Sequence, residues 1–315
     1  MNRHFALISL LIAGLGWGTT GLFVRVLGTR GFSSFELLAL RLIVVFAVLS
    51  IVMLPRILTR LKNKDFFEAR RSTFFTAIFV SGLMLFYYLG AIVAVQNLPL
   101  VFAVLVIGSS PLISWGVPLL FEFRRPKGEE WTQGLGVLFG ILGLLGLALS
   151  KNDSSVVPAN SVPLLGYAGG FVAAIVTVVN ARKLRSVRSD QLPSPQGISF
   201  LTATFGLLLS PLLFFESEQL FSRVEASWVL ILGFGILATL IPGFAIAYAS
   251  SRLSPTTTST VSIQLQVWTA VLGWIILDEK LSLIQSVSAA SVVLGTTICV
   301  FWRAENIKNV SREVT

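Results

Sequence analysis

The sequence predicts an all-α integral membrane protein whose ten transmembrane helices form two inverted five-helix repeats, residues 1–150 and 151–315. Three observations carry that prediction. Hydrophobic residues make up 54% of the chain and charged residues only 12%, against roughly 25% charged in soluble domains. Ten stretches approach the roughly 20 apolar residues that a helix needs to cross hydrocarbon. Two of them share one design: Leu98–Glu122 and Leu253–Glu279 open on Pro99 and Pro255, hold polar and aromatic groups in the middle and close on Glu122 and Asp278–Glu279. Each is followed by a Gln and a Gly-containing apolar run, Gln133 with Gly143 and Gln285 with Gly295, so the chain reads as a duplication.

In chain order the stretches are Phe5–Leu27, Phe35–Leu54, Thr73–Val95, Leu100–Phe121, Trp131–Leu149, Val162–Ala181, Gly197–Phe215, Trp228–Ala249, Thr256–Leu277 and Leu283–Trp302. The first is too long, and lacks the small-residue site, for a cleaved signal peptide, and is expected to be retained. Loop charge orients the set. One group of connections holds Arg3, then Arg56 to Arg71, Arg124 to Lys127, Arg182 to Arg188, Arg252 and Arg303 to Arg312; the opposite group holds only Arg25, Arg30, Lys151, Arg223 and Lys280. Basic loops stay in the cytoplasm, which predicts a plasma (inner) membrane protein with both termini inside. Five spans per half is an odd number, so the second half enters from the opposite side. Inverted repeats of this kind give transporters two access states around a site near the midplane.

The first stretch sets Trp17, Thr19 and Thr20 among Gly14, Gly16, Gly18 and Gly21. Glycines four apart, Gly14 and Gly18, admit a close neighbouring helix, and Trp17 either packs or faces a solute. Arg25 is expected to snorkel to the outer interface. In the second stretch Arg41 lies about two turns in, where an unpaired Arg costs roughly 2.5–3.5 kcal/mol on insertion scales. A tie to backbone carbonyls, a tie to Glu36 and an anion-binding role are all open to it. The segment 56–71 reads either as an interfacial helix on anionic lipid or as a plain cytoplasmic loop. The third stretch offers Tyr87 and Tyr88, and the fourth Ser109, Ser110, Pro111, Ser114 and Trp115. In the fifth, the run Gly134–Leu149 has Gly136 and Gly140 and no polar side chain, and reads as scaffold.

In the second half Gly166, Gly169 and Gly170 echo the first stretch, and Thr177 and Asn180 are its strongly polar groups. Pro242 in the eighth stretch removes a backbone donor and predicts a kink, and with it a gate, near Thr239 and Tyr248. In the ninth, residues three and four apart stack, so Thr257, Thr260, Gln264 and Trp268 share a face that could line a pocket. Cys299, the one cysteine, allows no intrachain disulfide and is assigned to packing.

Several chemistries lack their residues. His4 is the one histidine, and it sits in the amino-terminal tail, so no His cluster serves a metal or acid–base work. No glycine loop with Lys and Ser/Thr suits a built-in ATPase. Carboxylates fall at the ends of stretches and none in the middle, which favours facilitated diffusion or weakly coupled export over obligatory proton antiport. The net charge of +9 sits in loops between apolar runs, so it is read as topology and not as a nucleic-acid surface.

The run GLGWGTTGLFVR at Gly14–Arg25, FELLALRL around Glu36 and Arg41, the paired segments and the ending DEKLSLIQSVSAASVVLGTTICVF together resemble the EamA-type permeases of the drug/metabolite transporter superfamily, from about Leu7 to Phe301. The resemblance implies a basket of ten helices that moves a small metabolite, often outward, by alternating access. The expected solute-binding residues are Trp17, Thr20, Tyr87, Ser110, Trp115, Asn180, Tyr248, Thr260, Gln264 and Trp268; Arg41, Pro111 and Pro242 are expected to be structural or gating. Aromatic rings beside amides and hydroxyls suit a neutral or zwitterionic solute such as an amino acid, and also an organic ammonium. The expected partners are that solute and the bilayer, with no nucleic acid, cofactor or metal, in a monomer or a homodimer. The alternatives are a proton-coupled drug or organic-cation efflux carrier and, in another class, a lipid-modifying membrane enzyme or a non-transporting membrane scaffold.

Overall fold

A computed structural model describes residues 2–61, 71–114, 130–150, 161–187, 194–211, 219–250, 252–253, 261–279 and 281–313, and among them every regular element is helical. The elements are α1 (Asn2–Gly18), α2 (Thr20–Thr29), α3 (Ser34–Leu61), α4 (Arg71–Asn97), α5 (Leu100–Ile107), α6 (Glu130–Leu149), α7 (Pro163–Arg185), α8 (Pro195–Leu209), α9 (Leu220–Gly235), a π-turn (Ile236–Leu240), α10 (Ile241–Ser250), α11 (Val261–Leu277) and α12 (Leu283–Glu313). Among the described residues, five stretches are long and apolar enough to cross a membrane: His4–Thr29, Ser34–Val52, Thr73–Asn97, Pro163–Leu184 and Leu220–Ala249. Shorter apolar helices occupy Leu100–Ser114, Gly134–Leu149, Pro195–Leu209, Gln264–Leu277 and Leu283–Ile298. Each of the ten expected stretches thus contains an apolar helix. Of the segment 56–71, the residues up to Leu61 continue α3, and 62–70 lie outside the described residues.

Local chemistry fixes the helix ends. Ser33 and Glu36 form a capping box at the start of α3: the Ser33 N–H donates to Glu36 Oε2 (2.8 Å) and the Glu36 N–H to Ser33 Oγ (3.3 Å). Ser282 and Gln285 repeat it before α12 (2.9 and 3.3 Å). Pro163 and Pro195 stand in the first turns of α7 and α8, where the missing N–H costs nothing. Gly31 makes the turn from α2 to α3 at φ +85°, a left-handed conformation open to glycine at little cost.

In hydrocarbon, helices associate through close packing and hydrogen bonds more than through the hydrophobic effect, so small residues concentrate at the contacts. The α4–α7 contact is closest at Gly90 and Gly169: a Cβ on Gly90 would stand 2.5 Å from the Gly169 carbonyl oxygen, and one on Gly169 2.7 Å from that of Gly90. Gly136 of α6 meets α12 in the same way, its Cβ position 2.9 Å from the Gly295 carbonyl oxygen. The scaffold role read for the fifth stretch therefore has a partner, α12. The other main contacts are α1 with α10 and α11, α3 with α8 and α9, α4 with α8, and α5 with α7 and α11. Every residue of α5 is buried, so α5 is the centre of the bundle. Large apolar side chains such as Leu149, Leu164, Phe221 and Leu283 are exposed around the outside, as in a protein whose solvent is lipid.

Candidate functional site

The site is built where α1 meets α10 and α11 and where α11 meets α5. Gly14 and Gly18 bring α11 close: a Cβ on Gly14 would stand 2.6 Å from Gln264 Oε1, and one on Gly18 2.8 Å from Trp268 Cβ. Gln264 and Trp268 thus share a face of α11, as their spacing predicts, and that face is set against α1. Thr269 Oγ1 adds a hydrogen bond to the Gly18 carbonyl (3.3 Å). Thr257 and Thr260 lie outside the described residues.

On the other side of α1 the backbone is irregular. Pro242 has no N–H, so it cannot bond the Ala238 carbonyl four residues back, and the chain ahead of it takes the π-turn Ile236–Leu240. The expected kink is therefore seated on a π-bulge. The Ala238 oxygen accepts from Thr20 Oγ1 (3.3 Å) and from Arg41 Nη2 (3.4 Å) instead. Arg41 Nε also donates to Thr239 Oγ1 (2.6 Å), whose own hydroxyl donates to the Phe234 carbonyl (3.1 Å). The guanidinium lies over the rings of Tyr88 and Phe234, 4.4 and 4.9 Å from their centres. Of the three roles left open for Arg41, the tie to backbone carbonyl is present. Glu36 pairs with Arg223 instead (2.9 Å).

At the α5–α11 contact, the fourth stretch is interrupted. Helix α5 ends at Ile107, Gly108 and Ser109 turn, and helical backbone resumes at Ser110. Pro111 explains the interruption in part, since it has no N–H for the Ile107 carbonyl. Ser109 Oγ is committed to the Val106 carbonyl (2.6 Å). The Gln266 amide occupies the space that a side chain on Gly108 would need. Gln266 is 3% exposed, and neither its Oε1 nor its Nε2 has a partner among the described residues. Asn180 of α7, 7% exposed, is in the same position, as is Gln264 Oε1.

One end of the bundle, that of the α2–α3, α4–α5 and α11–α12 turns, is tied shut by polar groups from both halves. Arg25 does not snorkel outward as expected: it is 2% exposed, buried within the protein. It donates to the Leu98 carbonyl and pairs with Glu279 at 3.7 Å. Glu279 accepts the Leu100 N–H (3.0 and 3.1 Å) and so caps α5. Burial pushes the Glu279 carboxyl above the usual range, while the Leu100 N–H and Arg25 pull it back. Arg223 reaches the Gly31 carbonyl as well as Glu36, Arg30 holds the Ala226 carbonyl and Ser227 Oγ (both 3.0 Å), and Asn97 Oδ1 accepts the Val162 N–H (2.9 Å). Near the opposite end, a cavity of about 560 Å³ opens between α8 and α10, lined by Pro195, Gln196, Phe244, Ala247 and Tyr248. Arg252 lies over the Tyr248 ring at 3.8 Å.

The expected site residues therefore divide. Trp17 of α1, Thr20 at the start of α2, Gln264 and Trp268 of α11 and the structural pair Arg41 and Pro242 gather around the α1–α2 junction. Ser110 and Pro111 belong to the α5 interruption, beside Gln266. Tyr87 packs with Tyr88 (ring centres 5.4 Å apart), Asn180 is buried on α7, and Tyr248 is in the cavity. Trp115 lies outside the described residues. Among those residues, no group of three His, Cys, Asp or Glu side chains could hold a metal ion.

The EamA-like transporter family matches residues 4–149 and again residues 160–301. The chain belongs to the EamA-like transporter family. Membership, with the apolar helices described above, makes it a multi-pass membrane protein and supports a transporter in place of an enzyme. An uncharacterized transporter of Haemophilus influenzae is 22% identical to this EamA-like chain over 231 residues, 71% of this chain and 72% of the relative. A protein known from a crystal structure shares the fold, with a TM-score of 0.56 at 18% identity over 97% of this chain and 99% of that one.

Proposed function

We propose that this EamA-like protein is an alternating-access carrier of small neutral or zwitterionic solutes, built from two inverted five-helix repeats, with its basic loops and both termini on the cytoplasmic face of a plasma (inner) membrane. The observation that carries this reading is the pattern of helix contacts. With the ten apolar stretches numbered in chain order, the pattern survives exchange of the halves. Stretches 2 and 7, 4 and 9, and 5 and 10 each pack on their own counterpart. The contact of 3 with 6 has its counterpart in 8 with 1, that of 4 with 6 in 9 with 1, and that of 3 with 7 in 8 with 2. Two successive matches to one family support the same duplication, at 4–149 and 160–301.

A twofold arrangement of this kind has two related states, each closed at one end. Here the polar ties gather at the turn end and the cavity is at the other. In the proposed orientation, the tied end is the outer one. Buried amides and hydroxyls with aromatic neighbours (Trp17, Tyr87, Trp268) supply hydrogen bonds without net charge, which suits a neutral or zwitterionic solute.

The test is counterflow of a labelled panel of amino acids and small metabolites in proteoliposomes, with and without an imposed pH gradient. Accumulation driven by unlabelled solute on the far side, indifferent to the gradient, is expected. Correctly inserted protein that moves no solute of the panel contradicts the proposal. Flux that follows the gradient contradicts its uncoupled form and points to the buried carboxylates Glu36 and Glu279.

A further inference from the structure

Among the described residues, the Gln266 amide is a polar group without an internal explanation. It is buried, and both of its hydrogen-bonding atoms are without partners among the described residues. A buried amide normally has at least one partner. Its surroundings are unusual in the same sense. It rests on Gly108, where any side chain would displace it, at the C-terminal end of α5. That end carries the negative pole of the helix, and Pro111 leaves the Ile107 carbonyl without its intrahelical donor. Irregular backbone is tolerated at membrane depth where it is buried in protein or lines a cavity. The contact also joins the fourth and ninth stretches, one from each half, where a carrier of two halves holds its solute.

We infer that Gln266 and the interrupted backbone at Gly108–Pro111 form a binding subsite, and that it takes the ammonium group of the solute. The acceptors left over here are Gln266 Oε1 and the Ile107 carbonyl, beside the Gln266 Nε2 donor, while the Val104 and Val106 carbonyls already accept the Gly108 and Ser109 N–H groups. Ser109 Oγ, already donating to Val106, presents its lone pairs. No carboxylate is needed, since a cluster of carbonyl dipoles serves a cation that remains hydrogen-bonded throughout. The subsite rests on the transport reading above, and it is closed in this conformation.

The test uses the full chain in proteoliposomes, with counterflow of labelled neutral α-amino acids and with ethylamine or propionate as competitor. Ethylamine is expected to compete in the wild type and propionate is not. Gln266→Met, close in shape and without the amide, is expected to lower flux at least tenfold and to abolish competition by ethylamine. Its melting temperature is expected to stay at or above that of the wild type, because an unpartnered polar group has been removed. Gln266→Glu keeps the acceptor and is expected to retain ethylamine competition, and this variant carries the test if Gln266→Met does not fold. Wild-type flux with ethylamine still competing in Gln266→Met, or loss of that competition in folded Gln266→Glu, overturns the subsite and leaves the transport reading intact. Competition by propionate and not ethylamine overturns the assigned chemistry. A wild type that moves no solute overturns the transport reading, and the subsite with it.

Discussion

Glu279→Ala is expected to destabilise the protein by about 3–5 kcal/mol, the range for removing one member of a buried ion pair. The reason is what the substitution leaves behind. Both partners are 2% exposed, so Arg25 stays in a site closed to water, with Nε and Nη1 already unpartnered and the Leu98 carbonyl as its remaining acceptor. The Leu100 N–H at the start of α5 loses its cap in the same stroke. The double variant Arg25→Met/Glu279→Gln separates these causes: it removes both charges and keeps an oxygen for Leu100, and most of the stability should return. Thermal unfolding in detergent, read on the wild type and both variants, checks the pattern. A single Glu279→Ala that melts within a degree or two of the wild type would show that the pair ties nothing.

Arg41→Met is expected to cost about 2–4 kcal/mol, from two hydrogen bonds to a charged donor and two cation–π contacts. The guanidinium spans α3, Tyr88 of α4 and the π-turn ahead of Pro242, so its loss loosens the segment where three helices meet. The charge itself has a desolvation cost that methionine avoids, which sets the upper limit. Because Arg41 is engaged by Thr239 and Ala238, the surviving folded fraction should keep its affinity for solute and show the change in stability and turnover. An unchanged melting temperature with a weakened apparent affinity would instead make Arg41 a solute contact.

The apolar stretches and their glycines were legible because hydrocarbon imposes length and small-residue contacts directly on the sequence. Gly14 and Gly18 announced a close helix, and Gly136 marked the α6 scaffold. The proline at 242 announced an irregularity. Its form was not legible, since the partner that completes it, Arg41, is 198 residues from Thr239. Arg25 misled for the same reason: a cation near a helix end reads as a snorkelling group until Glu279 is brought to it by the folding of the other half. The capping box Ser33–Glu36 is present in the sequence as the spacing S-x-x-E. Gln266 was visible as a polar group in an apolar stretch. Its isolation depends on Gly108, and only the packing of α11 on α5 reveals it.

The central claim is that solute crosses only when the tied end opens. The most direct measurement places cysteines at Glu36 and Arg223, whose side chains meet at 2.9 Å across the two halves. The background is Cys299→Ser, which removes the one native cysteine. The pair is bridged with a short bifunctional maleimide, and counterflow is compared with that of the unbridged protein. Bridging is expected to abolish counterflow, while either single cysteine, treated identically, retains it. Undiminished flux through fully bridged protein would contradict alternating access at this end.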